Sequence, residues 1–447
     1  VHAYQGHQLF SVPTQLFSFL LDDHQINTLA DARNYVARLE GVRAKFDQLI
    51  ALLELQQSRG ILAPKFILER ALGGMGPGGN VPASNVFYTS LAERLAGVPG
   101  VDAAQRDALL AQAAAAIETS LIPAFDALRQ VVEAQLAQAT DEAGVWRLPD
   151  GDAYYAHALR HHTTTDITPE AVHQIGLAEV ARIQAEMRQL LGELNFDAEA
   201  PVFGDLMRSY FQQSRSDPAL TYPDSDAGRQ QALDGYTAII REAEEAIDHL
   251  FDVLPQAPVE VRRIPVAREG SAPGGYYERP SFDGTRPGVF YANLRTPPFQ
   301  PAMRTLSYHE AVPGHHFHLA LQQEAEHLAL AQRILTFTAH VEGWALYAEK
   351  LMREQGFYPD RYSQLENLRS ELFRALRLVV DTGLHYKRWS RDETIQYMLD
   401  NYGVGLETEI DRYIVWPGQA TAYKIGELKS LELRQRAMDE LGAAFDV

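Results

Sequence analysis

Apolar residues recur at intervals of three and four along most of the chain, which is the spacing of one buried helix face. Between about Thr28 and Gln57, the recurring positions are Ala32, Tyr35, Val36, Leu39, Val42, Phe46, Leu49 and Ile50. The same spacing, with capping residues such as Thr168-Pro169-Glu170, predicts further helices. Their ranges are 63–72, 101–138 (two helices that meet near Pro123), 153–161, 168–194, 227–251, 362–389, 394–401, 407–415 and 420–441. The chain is therefore expected to be mainly α-helical.

The pattern changes between residues 259 and 294, where β-branched and aromatic residues alternate with polar ones. Candidate strands are Val259–Val266, Gly275–Tyr277 and Gly288–Leu294, with a turn between the last two. This predicts a small antiparallel β-sheet directly before the next helix. Two interpretations stay open: an edge strand that binds an extended peptide by adding to the sheet, or a purely structural hairpin.

Length and composition narrow the class of protein. The 447 residues, 46% of them hydrophobic, can bury a large core. We expect a helical N-terminal lobe over residues 1–150 and a second helical lobe over 151–447, which holds the sheet and the candidate site.

A net charge of −19 without a basic cluster argues against a nucleic-acid partner. Zero cysteine excludes thiol chemistry. No apolar run reaches the roughly 20 residues of a membrane-spanning segment.

One stretch concentrates chemically active side chains: Ser307-Tyr308-His309-Glu310-Ala311-Val312-Pro313-Gly314-His315-His316-Phe317-His318. Peptidases with the H-E-x-x-H motif bind Zn²⁺ through two histidines on one helix face and use the glutamate as general base. Here the fourth position after His309 is Pro313, which cannot bind a metal. An unbroken helix would point His315 about 120° away and place His316 about 10 Å further along. The alternative interpretation is a surface histidine cluster at a helix kink.

Pro313 and Gly314 predict a break that solves this spacing problem. The proline has no N–H for the carbonyl of His309, and its ring clashes with that carbonyl. Val312, as the residue before a proline, is pushed away from helical angles, while Gly314 accepts angles that other residues avoid. We therefore expect residues 312–314 to interrupt the helix, so that His315 can take the place of the second histidine.

A third ligand is expected from the apolar helix that follows, over residues 337–349. Glu342 and Glu349 are seven residues apart on it and share one face. A buried carboxylate is costly unless it is paired or bound to a metal. Glu342 also adjoins Gly343, where another backbone can approach closely. These features favour Glu342 as a ligand and Glu349 as a group behind the ligands, with structural ion pairs to arginines as the alternative.

His-Glu-Ala-Val-Pro-Gly-His-His, followed by Val-Glu-Gly-Trp-Ala-Leu-Tyr-Ala-Glu, resembles the bacterial family called domain of unknown function 885. That family is similar to helical zinc peptidases whose third ligand is a glutamate, the gluzincin arrangement. The resemblance implies a mainly α, zinc-peptidase-like architecture with a deep cleft. It also favours His315 over His316, because the family keeps a histidine directly after Pro-Gly. Further matching stretches are 159–166, 379–385, 409–413, 417–420 and 423–426.

The implied site holds one Zn²⁺ ion on His309, His315 and Glu342, with the fourth position left to water. Glu310 is expected to act as the general base that takes a proton from this water and passes it to the leaving amine. The negative charge that develops on the attacked carbonyl oxygen needs a further donor. The candidates are Tyr423, Tyr413, His385 and Arg412.

Among these donors the resemblance favours Tyr423, with His385 in support, because similar helical zinc peptidases use a tyrosine or a histidine. Asp381 precedes His385 by one helical turn, which suits an aspartate that orients an imidazole. Arg412 has an alternative role, since a guanidinium can pair with a substrate carboxylate through two hydrogen bonds.

The expected function is that of a zinc metallopeptidase acting on small peptides. Two other functions stay open: a catalytically inactive helical binding protein, and a zinc amidase that acts on a non-peptide amide. The intact pair His309-Glu310 argues against a pure binding protein, which needs no general base. The sequence leaves the oligomeric state open. A cytoplasmic location is favoured over the alternative of a leader lost ahead of Val1.

Overall fold

The chain forms two compact units, Val1–Gly151 and Asp152–Val447. The structure is a computed structural model that describes residues 2–9, 11–266, 268–270 and 272–445. Each unit is helical, and the second also contains a three-stranded sheet.

Among the described residues, six α-helices build the first unit. The long helix α2 begins with a capping box in which Thr28 and Asp31 exchange hydrogen bonds, and its regular apolar face packs on α5 and α6. A π-helical turn over residues 117–121 separates α5 from α6, which confirms a junction close to Pro123. The helices are α1 (Val12–Ser18), α2 (Leu29–Ser58), α3 (Lys65–Gly74), α4 (Val86–Leu95), α5 (Ala103–Ala116) and α6 (Ile122–Leu136).

One segment of this unit, Ala103–Leu136, is long and apolar enough by length and composition to cross a membrane, the single such case among the described residues. The segment contains the π turn and buries Leu109, Ile117 and Phe125 inside the unit. A core helix meets the same test of length and composition, so the finding is weak evidence for a membrane span.

The second unit contains the other helices. They are α7 (Gly151–Thr163), α8 (Pro169–Glu193), α9 (Phe203–Arg215), α10 (Asp226–Ala246), α11 (Gln300–Glu310), α12 (His315–Glu324), α13 (Leu330–Ile334), α14 (Thr338–Glu354), α15 (Arg361–His385), α16 (Arg391–Tyr402), α17 (Glu407–Val415) and α18 (Ala422–Leu441). Sequence periodicity missed α1, α4, α9 and α13, each of 13 residues or fewer, because short segments hold too few periods to stand out. The helix expected to reach residue 251 ends at Ala246.

The sheet consists of β1 (Val259–Arg263), β2 (Gly275–Glu278) and β3 (Gly288–Ala292), in the order β1-β3-β2. Strands β2 and β3 pair antiparallel, as expected. Strand β1, however, pairs parallel with β3, so the sheet is mixed and the prediction of a purely antiparallel sheet was wrong. Alternation of side chains reveals that a strand exists but not the direction of its neighbour, which the path of the connecting chain decides.

An apolar cluster fixes the helices that carry the candidate site. It joins α10, β3, α11 and α12 through the buried rings of Tyr236, Phe290, Tyr308 and Phe317. Helix α11 also packs on α14 and α15, and α14 lies along α18. The motif residues 309–315 are thus held between packed helices and not on a loose surface segment.

Candidate metal centre

The helical structure is interrupted between α11 and α12, at the position that the proline and glycine predict. Helix α11 ends at Glu310 and α12 begins at His315, which confirms the expected interruption. Gly314 is needed at this point because a Cβ there would lie 2.0 Å from the carbonyl oxygen of His309. The indole N–H of Trp344, on α14, donates to the carbonyl of Pro313 at 2.8 Å and ties the connection down. The break thus brings the start of α12 back beside the end of α11.

Three predicted ligands meet here: His309, His315 and Glu342. One ligand atom from each lies within 4.8 Å of the others. The carboxylate oxygen Oε2 of Glu342 is 3.5 Å from Nε2 of His309 and 3.4 Å from Nε2 of His315. Both histidines are buried, at 4% and 9% exposure. The structure therefore gathers side chains from three different helices around one point.

The distances from Glu342 to the two imidazoles match those between the ligands of a bound ion. Metal–ligand distances of 2.0–2.1 Å in a tetrahedron separate the ligand atoms by about 3.3–3.4 Å. Oε2 of Glu342 is buried, and its only contacts among the described residues, with the two imidazoles at 3.4–3.5 Å, are longer than ordinary hydrogen bonds. A buried carboxylate oxygen held so loosely is costly. Two imidazoles and one carboxylate form a donor set that zinc accepts. The residues present fit a metal ion.

The carboxylate of Glu349 orients His309 from behind. Its Oε1 accepts a hydrogen bond of 2.8 Å from Nδ1 of His309, which leaves Nε2 to face Glu342. Carboxylates in this position fix the tautomer of a metal-binding histidine and increase its basicity. Burial lowers the pKa of His309, but hydrogen bonds with Glu342 and Glu349 outweigh burial and raise it to about 9. The two carboxylates thus favour the positively charged form of the His309 ring.

The pKa of Glu342 reflects the same attraction. Burial raises it, but the positive charge of His315 and hydrogen bonds from both histidines hold it well below its usual value. In the described part of the chain, no lysine or arginine forms an ion pair with Glu310, Glu342 or Glu349. Three carboxylates near two imidazoles favour a cation at this point.

His316, the other histidine after the break, is engaged elsewhere. Its Nδ1 lies 2.9 Å from the hydroxyl of Tyr277, on β2, and the ring also hydrogen-bonds the backbone of Ala257. Burial lowers its pKa to about 4, so the ring is neutral at pH 7. His316 therefore joins α12 to the sheet, whereas His315 faces Glu342.

Glu310 is a buried carboxylate without a partner. It is 6% exposed and, among the described residues, its side chain makes no hydrogen bond or ion pair. Structural carboxylates at such depth are usually paired. The oxygens of Glu310 are therefore available to a water or a substrate beside His309.

Tyr423 lies near the point where α18 crosses α14. A Cβ on Gly343 would lie 2.4 Å from the carbonyl carbon of Gly426, so the two backbones touch there. This confirms the expected close approach at Gly343. Glu342 precedes this crossing by one residue on α14, and Tyr423 precedes it by three on α18. The backbones of both residues thus lie within about one helical turn of the same point.

Replacing Gly343 with alanine is expected to lower the Tm. The added methyl group meets backbone atoms that cannot rotate away, and such overpacking costs about 1–3 kcal/mol, or several °C for a domain of this size. Gly192→Ala is the matched control, because the nearest atom to its Cβ is a methyl at 3.5 Å. Circular dichroism melts of both variants test this; equal melting temperatures would contradict the expectation.

His385 and Asp381 occupy the interior of the second unit. His385 is completely buried, and its Nε2 lies 3.1 Å from the carbonyl oxygen of Tyr413. Burial lowers its pKa to about 4. Oδ1 of Asp381 accepts hydrogen bonds from the hydroxyl of Tyr155 at 2.7 Å and from the N–H of Gly418 at 3.0 Å. These contacts indicate that His385 and Asp381 connect α7, α15 and the turn before α18. They do not favour a contact of either residue with a substrate.

Asp381 is expected to make stability fall as the pH rises. Burial raises its pKa to about 7, although the hydrogen bonds from Tyr155 and Gly418 lower it. The folded state keeps a proton that the unfolded chain releases near pH 4, so this stabilisation is complete below about pH 4 and lost as the pH rises through 7. Asp381→Asn removes the titration and keeps an acceptor oxygen.

Urea unfolding at pH 5 and pH 8 measures this effect. The free energy of unfolding of the wild type, relative to Asp381→Asn, is expected to fall by about 1–3 kcal/mol between the two pH values. An identical difference at both would contradict the shifted pKa.

Arg412 and Tyr413 lie around a carboxylate that the sequence did not single out. Nη1 of Arg412 lies 3.4 Å and the hydroxyl of Tyr413 2.9 Å from Oε2 of Glu409. Nη2 of the buried Arg377 approaches the same oxygen at 3.0 Å. Arg377 was missed, although a charge inside the apolar run of α15 is a signal for it.

The family model described as "Bacterial protein of unknown function (DUF885)" matches residues 2–447. The chain belongs to the DUF885 family. The family resemblance expected from the motif is thereby confirmed, while the peptidase likeness stays a prediction. No curated protein matches this DUF885 chain.

Two solved structures share the fold of this DUF885 protein. One, described as a "putative lipoprotein" of Colwellia psychrerythraea, is 34% identical with a TM-score of 0.93 over 99% of this chain and 76% of its own. Another, a "putative lipoprotein of unknown function" from Shewanella oneidensis, is 18% identical with a TM-score of 0.68 over 96% of this chain and 76% of its own. The second likeness shows the fold alone.

Proposed function

We propose that this DUF885 protein is a zinc-dependent peptidase that hydrolyses small peptides in a cleft beside α11, α12 and α14. The observation that carries the proposal is the meeting of His309, His315 and Glu342 within 4.8 Å, next to the unpaired carboxylate of Glu310. A structural histidine cluster has no need for an adjacent buried carboxylate without a partner.

His309, His315 and Glu342 would hold one zinc ion. When bound, zinc lowers the pKa of a coordinated water to about 7 and polarises a carbonyl. Imidazole nitrogens and a carboxylate suit zinc better than magnesium or calcium, which prefer oxygen ligands alone. The hydrogen bond from His309 to Glu349 would leave Nε2 of His309 free to hold the ion.

Glu310 moves the proton in the proposed reaction. One of its carboxylate oxygens takes a proton from the attacking water, whose oxygen forms a bond to the carbonyl carbon of the substrate. The same glutamic acid then gives the proton to the amine nitrogen as the C–N bond breaks. The products are a carboxylic acid and an amine, and Glu310 returns to its ionised form.

Tyr423 is the proposed donor to the carbonyl oxygen of the substrate. Its hydroxyl would stabilise the charge that develops there, and its backbone lies within one turn of the crossing between α14 and α18. His385 is too deeply buried for this role, so its contribution is to position the turn at Tyr413. Arg412, which is partly exposed, remains available to bind a substrate.

Metal analysis followed by a peptide digest tests the proposal. Protein purified without chelator is expected to hold about one zinc per chain and to cleave members of a mixed peptide library, as read by mass spectrometry. A chain that takes up no zinc even from excess ion supports the inactive binding protein. Bound zinc without peptide cleavage, but with hydrolysis of simple amides, supports the amidase.

A further inference from the structure

A group of five side chains, here named the arginine cluster, lies at the junction of α15, α17 and the turn before α18. Its members are Arg377, Glu409, Arg412, Tyr413 and Gln419. Both arginines and the hydroxyl of Tyr413 converge on Oε2 of Glu409, at 2.9–3.4 Å. Nη2 of Arg412 also donates to Oε1 of Gln419 at 2.7 Å.

The charges of the arginine cluster do not balance. Arg377 and Arg412 carry two positive charges, and Glu409 is the single carboxylate that forms an ion pair with either in the described part of the chain. Burial raises the pKa of Tyr413, so its hydroxyl stays neutral. The cluster therefore keeps one excess positive charge in a protein whose net charge is −19. An anionic group of a ligand would neutralise it.

Arg412 is the member that a ligand can reach. Its side chain is 21% exposed and that of Glu409 is 31% exposed, whereas that of Arg377 is 6% exposed. Two of the five N–H groups of Arg412 have partners in Glu409 and Gln419, which leaves donors for a further acceptor. Its guanidinium lies over the ring of Trp416 at 5.7 Å, which limits its motion.

Tyr423 connects the arginine cluster to the candidate metal centre. The guanidinium of Arg377 lies 4.7 Å from the centre of the Tyr423 ring, and Tyr423 is within one turn of the crossing that carries Glu342. A peptide whose carboxylate lies on Arg412 would pass Tyr423 on its way to the triad, and each of its extended residues would span about 3.3–3.6 Å.

We propose that the arginine cluster binds the C-terminal carboxylate of the substrate, so that this protein removes residues from the C-terminal end of short peptides. The planar guanidinium of Arg412 matches a carboxylate with two parallel hydrogen bonds. The inference rests on the proposed peptidase function, to which it adds the end of the peptide that is recognised and the residue that recognises it.

Binding to a variant that cannot hydrolyse tests this inference directly. The probes are N-acetylated penta-alanine as the free acid and as the C-terminal amide, titrated by calorimetry into zinc-loaded Glu310→Gln protein. The acid is expected to bind about 10- to 100-fold more tightly, the range for a hydrogen-bonded charge pair. Adding Arg412→Gln is expected to remove the difference, whereas adding Arg436→Gln, a control at an exposed site, is expected to keep it.

Equal affinity for acid and amide would overturn the inference. A preference that survives Arg412→Gln would also overturn it, because the carboxylate would then be bound elsewhere, such as by the ion. Arg412→Lys, which keeps the charge but not the planar fork, is expected to retain part of the preference and serves if the glutamine variant fails to fold. Hydrolysis by the wild type is measured separately. Cleavage of acid and amide at equal rates would reject only the carboxylate site, whereas no cleavage of either peptide or of the library would reject the peptidase.

Discussion

Glu310→Gln is expected to reduce peptide hydrolysis by about 10²- to 10⁴-fold, the usual contribution of a general base. Glutamine has nearly the shape of glutamate but cannot accept the proton of the attacking water. Since Glu310 has no ion pair or hydrogen bond among the described residues to lose, the fold is expected to be unaffected. Zinc content and kcat, measured on the same preparation, separate loss of the base from loss of the ion.

The matched control is Glu326→Gln, which makes the same change at an exposed glutamate two residues after the end of α12. It is expected to leave both kcat and zinc content unchanged. Full activity of Glu310→Gln would rule out the base role. Loss of zinc from this variant would instead make Glu310 a ligand, which is contrary to the geometry of the triad.

His315→Ala is expected to abolish stable zinc binding, whereas His316→Ala is expected to retain it. Removal of a residue that merely orients a ligand costs about 10- to 100-fold in metal affinity, so loss of a ligand itself should exceed this. His316 instead holds Tyr277 and the backbone of Ala257. Its loss is expected to reduce stability by about 1–3 kcal/mol, because buried partners are left without hydrogen bonds.

Zinc titration with a competing chelator, together with thermal melts, distinguishes the two variants. The expected pattern is a weak-binding His315→Ala protein and a His316→Ala protein that binds zinc normally but melts at a lower temperature. The opposite order of affinities would move the ligand by one residue. Equal affinities in both variants and the wild type would argue that neither histidine binds the ion.

The local chemistry of the motif was readable from the sequence. Pro313 removes a helix donor and excludes helical angles before it wherever it stands, so the break between α11 and α12 follows from local sterics. The same is true of Thr28, which begins α2, because a capping box needs only residues within one turn. The exact need for Gly314 was not readable, since it arises from the carbonyl of His309 folding back onto it.

Contacts between distant segments were beyond the sequence. Three contacts join residues that are 25 or more positions apart in the sequence. They are the parallel pairing of β1 with β3, the hydrogen bond between His316 and Tyr277, and the approach of Arg377 to Glu409. Periodicity shows which face of an element is buried but not which partner buries it. The proposed role of His385 shows the same limit: its residue type suggested chemistry, and its complete burial suggests a structural part.

By itself, the sequence determined the helical class, the position of the break and the residue types that gather at it. These properties depend on local sterics, on periodic burial and on the few residue types able to bind a metal. Only the tertiary structure decided which of two adjacent histidines faces Glu342, which carboxylate orients His309, and where an excess positive charge remains. Those outcomes depend on distances between helices, and such distances are set by the packing of the whole unit.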